Sequence, residues 1–365
     1  TMFGPTAVRS FFMDEGWGFI KKYAQLWSKV KDERNKMKRD TGYSMLGENA
    51  LIEEPCAVLP TRREEYTILN EFMQALPTYE VILQRLIMFF DDSELYVIND
   101  AFDGVKVMKD FKESFIPGMA STITNERPIV KLISSSKKNY YKIGVVLGIF
   151  MYTSVHYKMP LAFDKFFVVL NGLSTGKTNY IERVQVTFLM YCFRAKWGLT
   201  GGDSPHTIML LNSMVNEALL IGLNTDIEIT FRNQESVFGN LQALRELWLW
   251  ILFCDVDVAL QMGSLLKVSD ELIFDESIFE IGKENPNSLK NLTGSFLKMA
   301  RPMLISIFNI KFTPDLEAYC EEIIQFIEKK FPPISYYTDK DLIDETSLST
   351  TIVLSSVISL LLAFY

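Results

Sequence analysis

Leu244-Arg245-Glu246-Leu247-Trp248-Leu249-Trp250-Ile251-Leu252-Phe253-Cys254-Asp255 opens a run that continues through Val258 and Ala259 to Gly263. At helical spacing, Arg245, Trp248, Leu252, Asp255 and Ala259 fall near one face, while Leu244, Leu247, Ile251, Cys254 and Val258 line another. A helix that is apolar almost all round has no side to offer water. The stretch from Leu241 to about Leu266 is therefore expected to be a central helix on which others pack.

Working outward, the same period recurs nearly throughout. Amphipathic or apolar helical runs read as Trp17–Lys38, Glu64–Leu76, Thr78–Phe90, Tyr140–Tyr157, Asn179–Trp197, Ser204–Leu220, Gly294–Phe308 and Asp315–Lys330. Breaks fall at Pro77, at Pro160, at the Gly198, Gly201 and Gly202 turn, and at Pro332-Pro333. Thr61 with Glu64 has capping-box spacing, and Ser204 before Pro205 reads as a helix start. Ile116–Pro128 is rich in turn formers and reads as a loop. Strand signals are confined to Phe166–Leu170 and the alternating Ile227–Phe231, neither with an obvious partner run. The expected fold is all-α, a large helical domain of antiparallel helix pairs with a solenoid-like rhythm.

Composition narrows the function classes. With 48% apolar and 13% aromatic residues, the 365-residue chain can bury a large core. A net charge of -8 argues against nucleic-acid binding over a broad surface, which needs clustered Lys and Arg. The basic exception, Lys21 to Arg39, reads as a solvated helix face. Cys56, Cys192, Cys254 and Cys320 are far apart and form no C-x-x-C pair, and His156 and His206 are the only histidines, so no structural zinc or other metal site is expected. The apolar terminal stretch Thr350–Tyr365 would span roughly 24 Å as a helix, short of the ~30 Å hydrocarbon core. It reads as a core helix cut by the end of the chain, not as a membrane anchor.

Catalytic motifs fail on geometry. Gly172-Leu173-Ser174-Thr175-Gly176-Lys177-Thr178 resembles a phosphate loop, but only three residues separate the glycines where four are needed to wrap a phosphate. A nucleotide-binding enzyme built on this loop is the remote alternative. Asp255 and Asp257 lie two apart on a helix and face different ways, so they are not an acid–base pair. Asp203, Ser204 and His206 are neighbours in sequence, which is not triad geometry; their simplest role is to start a helix. No catalytic residue is expected.

Two stretches carry a resemblance. In Met214–Asp226 a helix ends in Ala218, followed by Gly222-Leu223, Asn224-Thr225 and Asp226. Gly222 can take positive φ and close the helix, with Leu223 folding back as the apolar contact. The second is the Arg245–Trp248 helix running into Asp255 and, eight residues later, Gly263. In order and spacing the chain resembles the middle homology region of fungal zinc-cluster transcription factors. Phe3-Gly4-Pro5-Thr6 and Ile181-Glu182-Arg183-Val184-Gln185 are similar to further elements of that region, in a subgroup that includes haem- and fatty-acid-responsive yeast activators. Where the family pattern has Arg after the Asp, then Ser, and Arg-Pro after the Gly, this chain has Val256, Ala259, Ser264 and Leu265. These departures leave a family-type salt bridge at Asp255 unsupported.

The resemblance implies signature positions Gly222, Leu223, Asp226, Arg245, Trp248, Asp255 and Gly263. It implies a nuclear regulatory domain that is not an enzyme and responds to a signal. The zinc-bearing DNA-binding part and dimerisation, homo- or heterodimeric, are expected outside this chain, with no cofactor inside it. Expected partners are co-activator or repressor proteins and a small apolar ligand such as a lipid, sterol or xenobiotic, whose binding residues the sequence does not name. Haem is disfavoured, since Cys56 precedes Ala57 and not proline. A helical scaffold regulated by protein partners alone is the second reading. The expected organisation is an N-terminal lobe over 1–140, a core over 141–310 and C-terminal helices over 311–365.

Overall fold

A computed structural model describes residues 25–26, 28–30, 32–33, 36, 62–92, 95–134, 139–154, 161–173, 179–197, 205–286, 288–309, 313–338 and 345–364. Among them, regular structure is helical apart from one two-stranded hairpin, in agreement with the all-α expectation. Several sequence features lie outside the described residues: Phe3–Thr6, Cys56, Thr61, His156, Ser174–Thr178, Gly198–Gly202, Ser204 and most of Lys21–Arg39. The chain divides into two compact units.

One unit holds the described residues of Gly18–Asp91 and Asp103–Leu199. Its elements are α1 (Arg62–Ala75), α2 (Tyr79–Asp91), α3 (Gly104–Ser114), β1 (Phe115–Pro117), β2 (Ile129–Leu132), α4 (Tyr141–Thr153), α5 (Leu161–Leu173) and α6 (Ile181–Trp197). α4 is the centre, packed by α2, α3 and α6. Gly144 and Gly148, one turn apart, set the closeness of the α6 contact. A Cβ at Gly144 would lie 2.9 Å from Val186 Cγ2 and from Leu170 Cδ2, and one at Gly148 2.9 Å from Leu189 Cδ1. Their bare backbone lets α6 approach, which outweighs glycine's poor helix propensity.

Phe166–Leu170 is helical and not a strand: it lies within α5. Phe163, Phe166 and Leu170 are all buried, and the i, i+3, i+7 spacing decides, because it turns one face toward α1. There the Phe166 ring stacks on Phe72 with centroids 4.2 Å apart. Gly172 thus lies in the last turn of a helix that ends at Leu173, and the strand a phosphate loop would follow is not there. The expected loop Ile116–Pro128 is a loop from Gly118 onward, and it joins the two strands of an antiparallel hairpin, β1 pairing β2 from Phe115↔Leu132 to Pro117↔Ile129. Arg127 anchors it: its amide donates to Glu80 Oε2 at 2.8 Å and its Nε to Oε1 at 2.6 Å, with the guanidinium over the Tyr79 ring. These donors hold the Glu80 carboxyl below its ordinary value.

The other unit holds the described residues of Asp92–Phe102 and Thr200–Tyr365. Its elements are α7 (Pro205–Ile221), α8 (Ile227–Thr230), α9 (Glu235–Phe238), α10 (Leu241–Met262), α11 (Leu289–Phe308), α12 (Leu316–Lys330), α13 (Ile334–Thr338) and α14 (Glu345–Phe364), with 3-10 turns at Asn99–Ala101, Asp270–Leu272 and Glu276–Glu280. α10 is the expected central helix. Every residue from Glu246 to Val256 is buried, and α7, α11, α14 and the Asn99–Ala101 turn all pack on it. Asn240 caps its start, accepting from the Gln242 amide at 2.8 Å, and Gly263 ends it in the left-handed region at φ 62°. Ile227–Phe231 is likewise not a strand. Asp226 accepts from the Ile229 amide at 3.1 Å, a cap that favours a helical turn over the short alternating pattern. No helix among the described residues is long and apolar enough to cross a membrane.

The turn at Glu276–Glu280 packs onto α11 through Gly294. A Cβ there would lie 2.3 Å from the Phe279 carbonyl oxygen, a backbone atom that cannot swing away. Gly294→Ala should therefore destabilise by about 1–3 kcal/mol despite alanine's better helix propensity. Urea unfolding measures it; an unchanged midpoint would show the turn free to move.

Candidate functional site

Three of the signature positions form one turn. Gly222 has φ 92°, and its amide and that of Leu223 donate back to Ala218 O at 3.1 and 3.0 Å, closing α7. Leu223 is fully buried, and Asp226 starts α8. Asn224, between them, reaches out: its Nδ2 donates to Leu272 O at 3.0 Å, and its carbonyl accepts from the Phe274 amide at 3.0 Å.

The polar positions on α10 reach the same segment. Arg245 Nη1 donates to Asp275 Oδ2 at 3.0 Å and Nη2 to Ser277 Oγ at 2.8 Å. Asp255, buried to 1% exposure, accepts from the Lys267 amide at 2.8 Å and the Val268 amide at 3.0 Å. Residues 264–280, which follow Gly263, are thus a strap held at Lys267–Val268, Leu272–Phe274 and Asp275–Ser277. Trp248 contributes bulk, buried within α10 at 2% exposure.

Arg301 on α11 closes the arrangement. Its Nη1 lies 3.4 Å from Asp255 Oδ2, its Nε donates to Asp270 Oδ1 at 2.8 Å, and its Nη2 donates to the Val268 carbonyl. The missing local partner of Asp255 is thus supplied from 46 residues away. Burial pushes the Asp255 carboxyl above its ordinary value, while the two amides and Arg301 pull it back. Asp255 and Asp257 do face different partners, the latter accepting from Ser356 Oγ at 3.0 Å and Gln261 Nε2 at 2.6 Å. The one sequence hint of Arg301 was a cation inside an otherwise apolar helix face.

Two further networks escaped sequence reasoning. Lys290 bridges Glu246 on α10 and Asp100 in the Asn99–Ala101 turn. Burial alone would lower Lys290, but its bonds to Asp100 and Glu246 raise it; burial raises Glu246, against Lys290 and Gln242. In the other unit, Lys106 pairs with Asp110 at 3.0 Å and with Glu182, and Lys142 pairs with Asp110. Asn139 Nδ2 donates to Glu182 Oε2 at 3.2 Å. Burial alone would lower Lys106, yet Glu182 and Asp110 outweigh it and raise it.

Chemically these are partnered structural charges. Among the described residues no group of His, Cys, Asp and Glu could hold a metal ion, and Cys192 and Cys320 are free thiols, with burial pushing Cys192 far up. The arrangement can do one thing well: hold a strap against two helices in a single register.

Comparison with known proteins gives this architecture its kin. Along its full length the chain is 35% identical over 381 residues to the zinc finger transcription factor YRM1 of Saccharomyces cerevisiae and 33% identical over 365 residues to the zinc finger transcription factor YRR1 of the same yeast. Transcription factor PDR8 of that yeast is 24% identical over 376 residues. The chain covers 48%, 44% and 48% of these proteins, so it spans about half the length of the curated relatives it matches. No family model matches the chain, and no solved structure does.

Arg301→Met should cost about 3–5 kcal/mol, because it leaves Asp255 buried without its cation. Adding Asp255→Leu to it should recover part of that loss, since both buried charges are then gone. Urea titration of the two variants decides; additive losses would contradict the pairing. Lys106→Met tests the other network with a pH signature. Because the folded-state value of Lys106 is raised, its contribution is complete below the ordinary lysine value and lost as pH rises through the raised one. The stability gap between wild type and variant should be flat through neutral pH and close only in strong alkali, as thermal melts across pH would show.

Proposed function

Since this chain is kin along its whole length to yeast zinc finger transcription factors, as the expected resemblance to fungal zinc-cluster regulators requires, we propose that it is the regulatory domain of a nuclear, sequence-specific transcription regulator. The observation that carries the reading is the full-chain match to about half of each relative. In this reading the zinc-bearing DNA-binding part and the dimerisation element belong to the rest of the protein, and this part is not an enzyme. The domain sets output by moving between two packings of its helices, with a signal binding one of them more tightly. A small apolar ligand such as a lipid, sterol or xenobiotic is one such signal.

Regulation by protein partners alone is the second reading, and a specific observation favours it. Large apolar side chains stand in water on an otherwise well-buried fold, Phe274 and Ile229 among them.

Fused to an unrelated DNA-binding domain, the chain should change reporter output relative to that domain alone. Arg301→Met should alter the change. A fusion inert with and without added lipids, sterols and xenobiotics would overturn the regulatory reading. Native mass spectrometry with solvent extraction separates the two mechanisms: a retained small molecule with a matching thermal shift supports the ligand, and neither supports partners alone.

A further inference from the structure

Leu220 in α7, Ile229 in α8 and Phe274 in the strap lie on the three segments that meet at the Gly222–Asp226 turn and are 67%, 67% and 65% exposed. Leu220 stands just before the turn. Ile229 precedes Thr230, whose hydroxyl meets that of Thr225 at 2.7 Å, and the Phe274 amide is bonded to Asn224 at 3.0 Å. The Asp226 cap and the Asn224–Phe274 bond fix the backbone beneath Ile229 and Phe274, and Leu220 lies in the last turn of α7. Clustered exposed apolar groups on a rigid base mark an interaction surface.

The exposed charge on these segments is net negative. Glu228, Glu235, Glu271 and Glu276 are exposed and make no ion pair among the described residues, whereas Asp270 and Asp275 in the same strap are neutralised by Arg301 and Arg245. Against these four glutamates the neighbouring exposed cations are Arg232 and Lys267. A second copy of the chain is a poor occupant, because a two-fold contact would set the same glutamates against each other. The same net negative charge disfavours nucleic acid and anionic lipid.

We propose that this face docks a basic amphipathic segment of a partner protein. Its apolar side chains would cover Leu220, Ile229 and Phe274, and its lysines or arginines would reach the surrounding glutamates. The proposal deepens the regulatory reading, on which its biological meaning rests, by giving the partner a chemistry.

The test is selection of displayed random peptides of roughly 16 residues, about four helical turns, on the purified chain. Enriched peptides should carry Lys or Arg with apolar residues at helical spacing. Ile229→Ser with Phe274→Ser should weaken them at least about tenfold. Glu228→Lys with Glu271→Lys should slow association and flatten its salt dependence. Circular dichroism melts check that these surface variants fold, and the charge pair stands as an independent test if the apolar pair does not. No enrichment, acidic or uncharged winners, or binding indifferent to both pairs would overturn the proposal. Phe274-dependent self-association in sedimentation would also overturn it, by assigning the face to a second copy. An intact reporter response with no peptide binding removes the partner and leaves the regulatory reading; the reverse outcome removes that reading and leaves the surface.

Discussion

The guanidinium of Arg301, buried to 1% exposure, is the constraint on which its unit depends. A charge taken out of water is tolerated only when its donors are used, and here they go to Asp255, Asp270 and the Val268 carbonyl. Asp255 in turn spends its remaining lone pairs on the amides of Lys267 and Val268. One ion pair thus ties α10, α11 and the strap together. With Lys267 and Val268 pinned, Leu272, Phe274 and Asp275 fall where Asn224 and Arg245 can meet them. The net worth of such a pair against an apolar replacement is small; what it supplies is register.

The other unit meets the same problem with different parts. α4 is buried on nearly every side, so its hydrophobicity says little about which way round it should sit. Gly144 and Gly148 mark the face that takes α6, because a Cβ at either would lie 2.9 Å from the Val186 or the Leu189 side chain. Lys106 and Lys142, alternating with Asp110 and Glu182, then set α3, α4 and α6 along one another. In both units an apolar helix of poor directional content is given orientation by a few buried charges.

Legibility in the sequence follows from range. The central helix and the Gly222 helix end depend on contacts within a turn or two, and periodicity and capping chemistry reveal them. Phe166–Leu170 and Ile227–Phe231 were misread because five residues are too few to separate a period of 2 from one of 3.6. The hairpin was missed because its strands, Phe115–Pro117 and Ile129–Leu132, are too short to alternate visibly, and its anchor Glu80 lies 47 residues from Arg127. Arg301 was missed for the same reason: local spacing around Asp255 argued against a salt bridge, and the partner came from another helix. Kinship, by contrast, was legible through the order of individually weak motifs, since order survives where single residues drift.

A regulatory domain needs no reactive group; it needs two packings and little between them. An apolar interface by itself gives a poor switch, because side chains that differ by a methylene can slide and repack at small cost. Buried ion pairs change that. A strap halfway off would strand Asp255 and Arg301 without water or partners, a state several kcal/mol above either the docked or the released and solvated one. Under the proposed regulatory reading the strap would leave whole or stay whole, and α10 and α11 would feel the departure together because both hold its charges. In that reading, polar groups that add little net stability to the folded chain would make its alternatives discrete, which is the property a signal would act on.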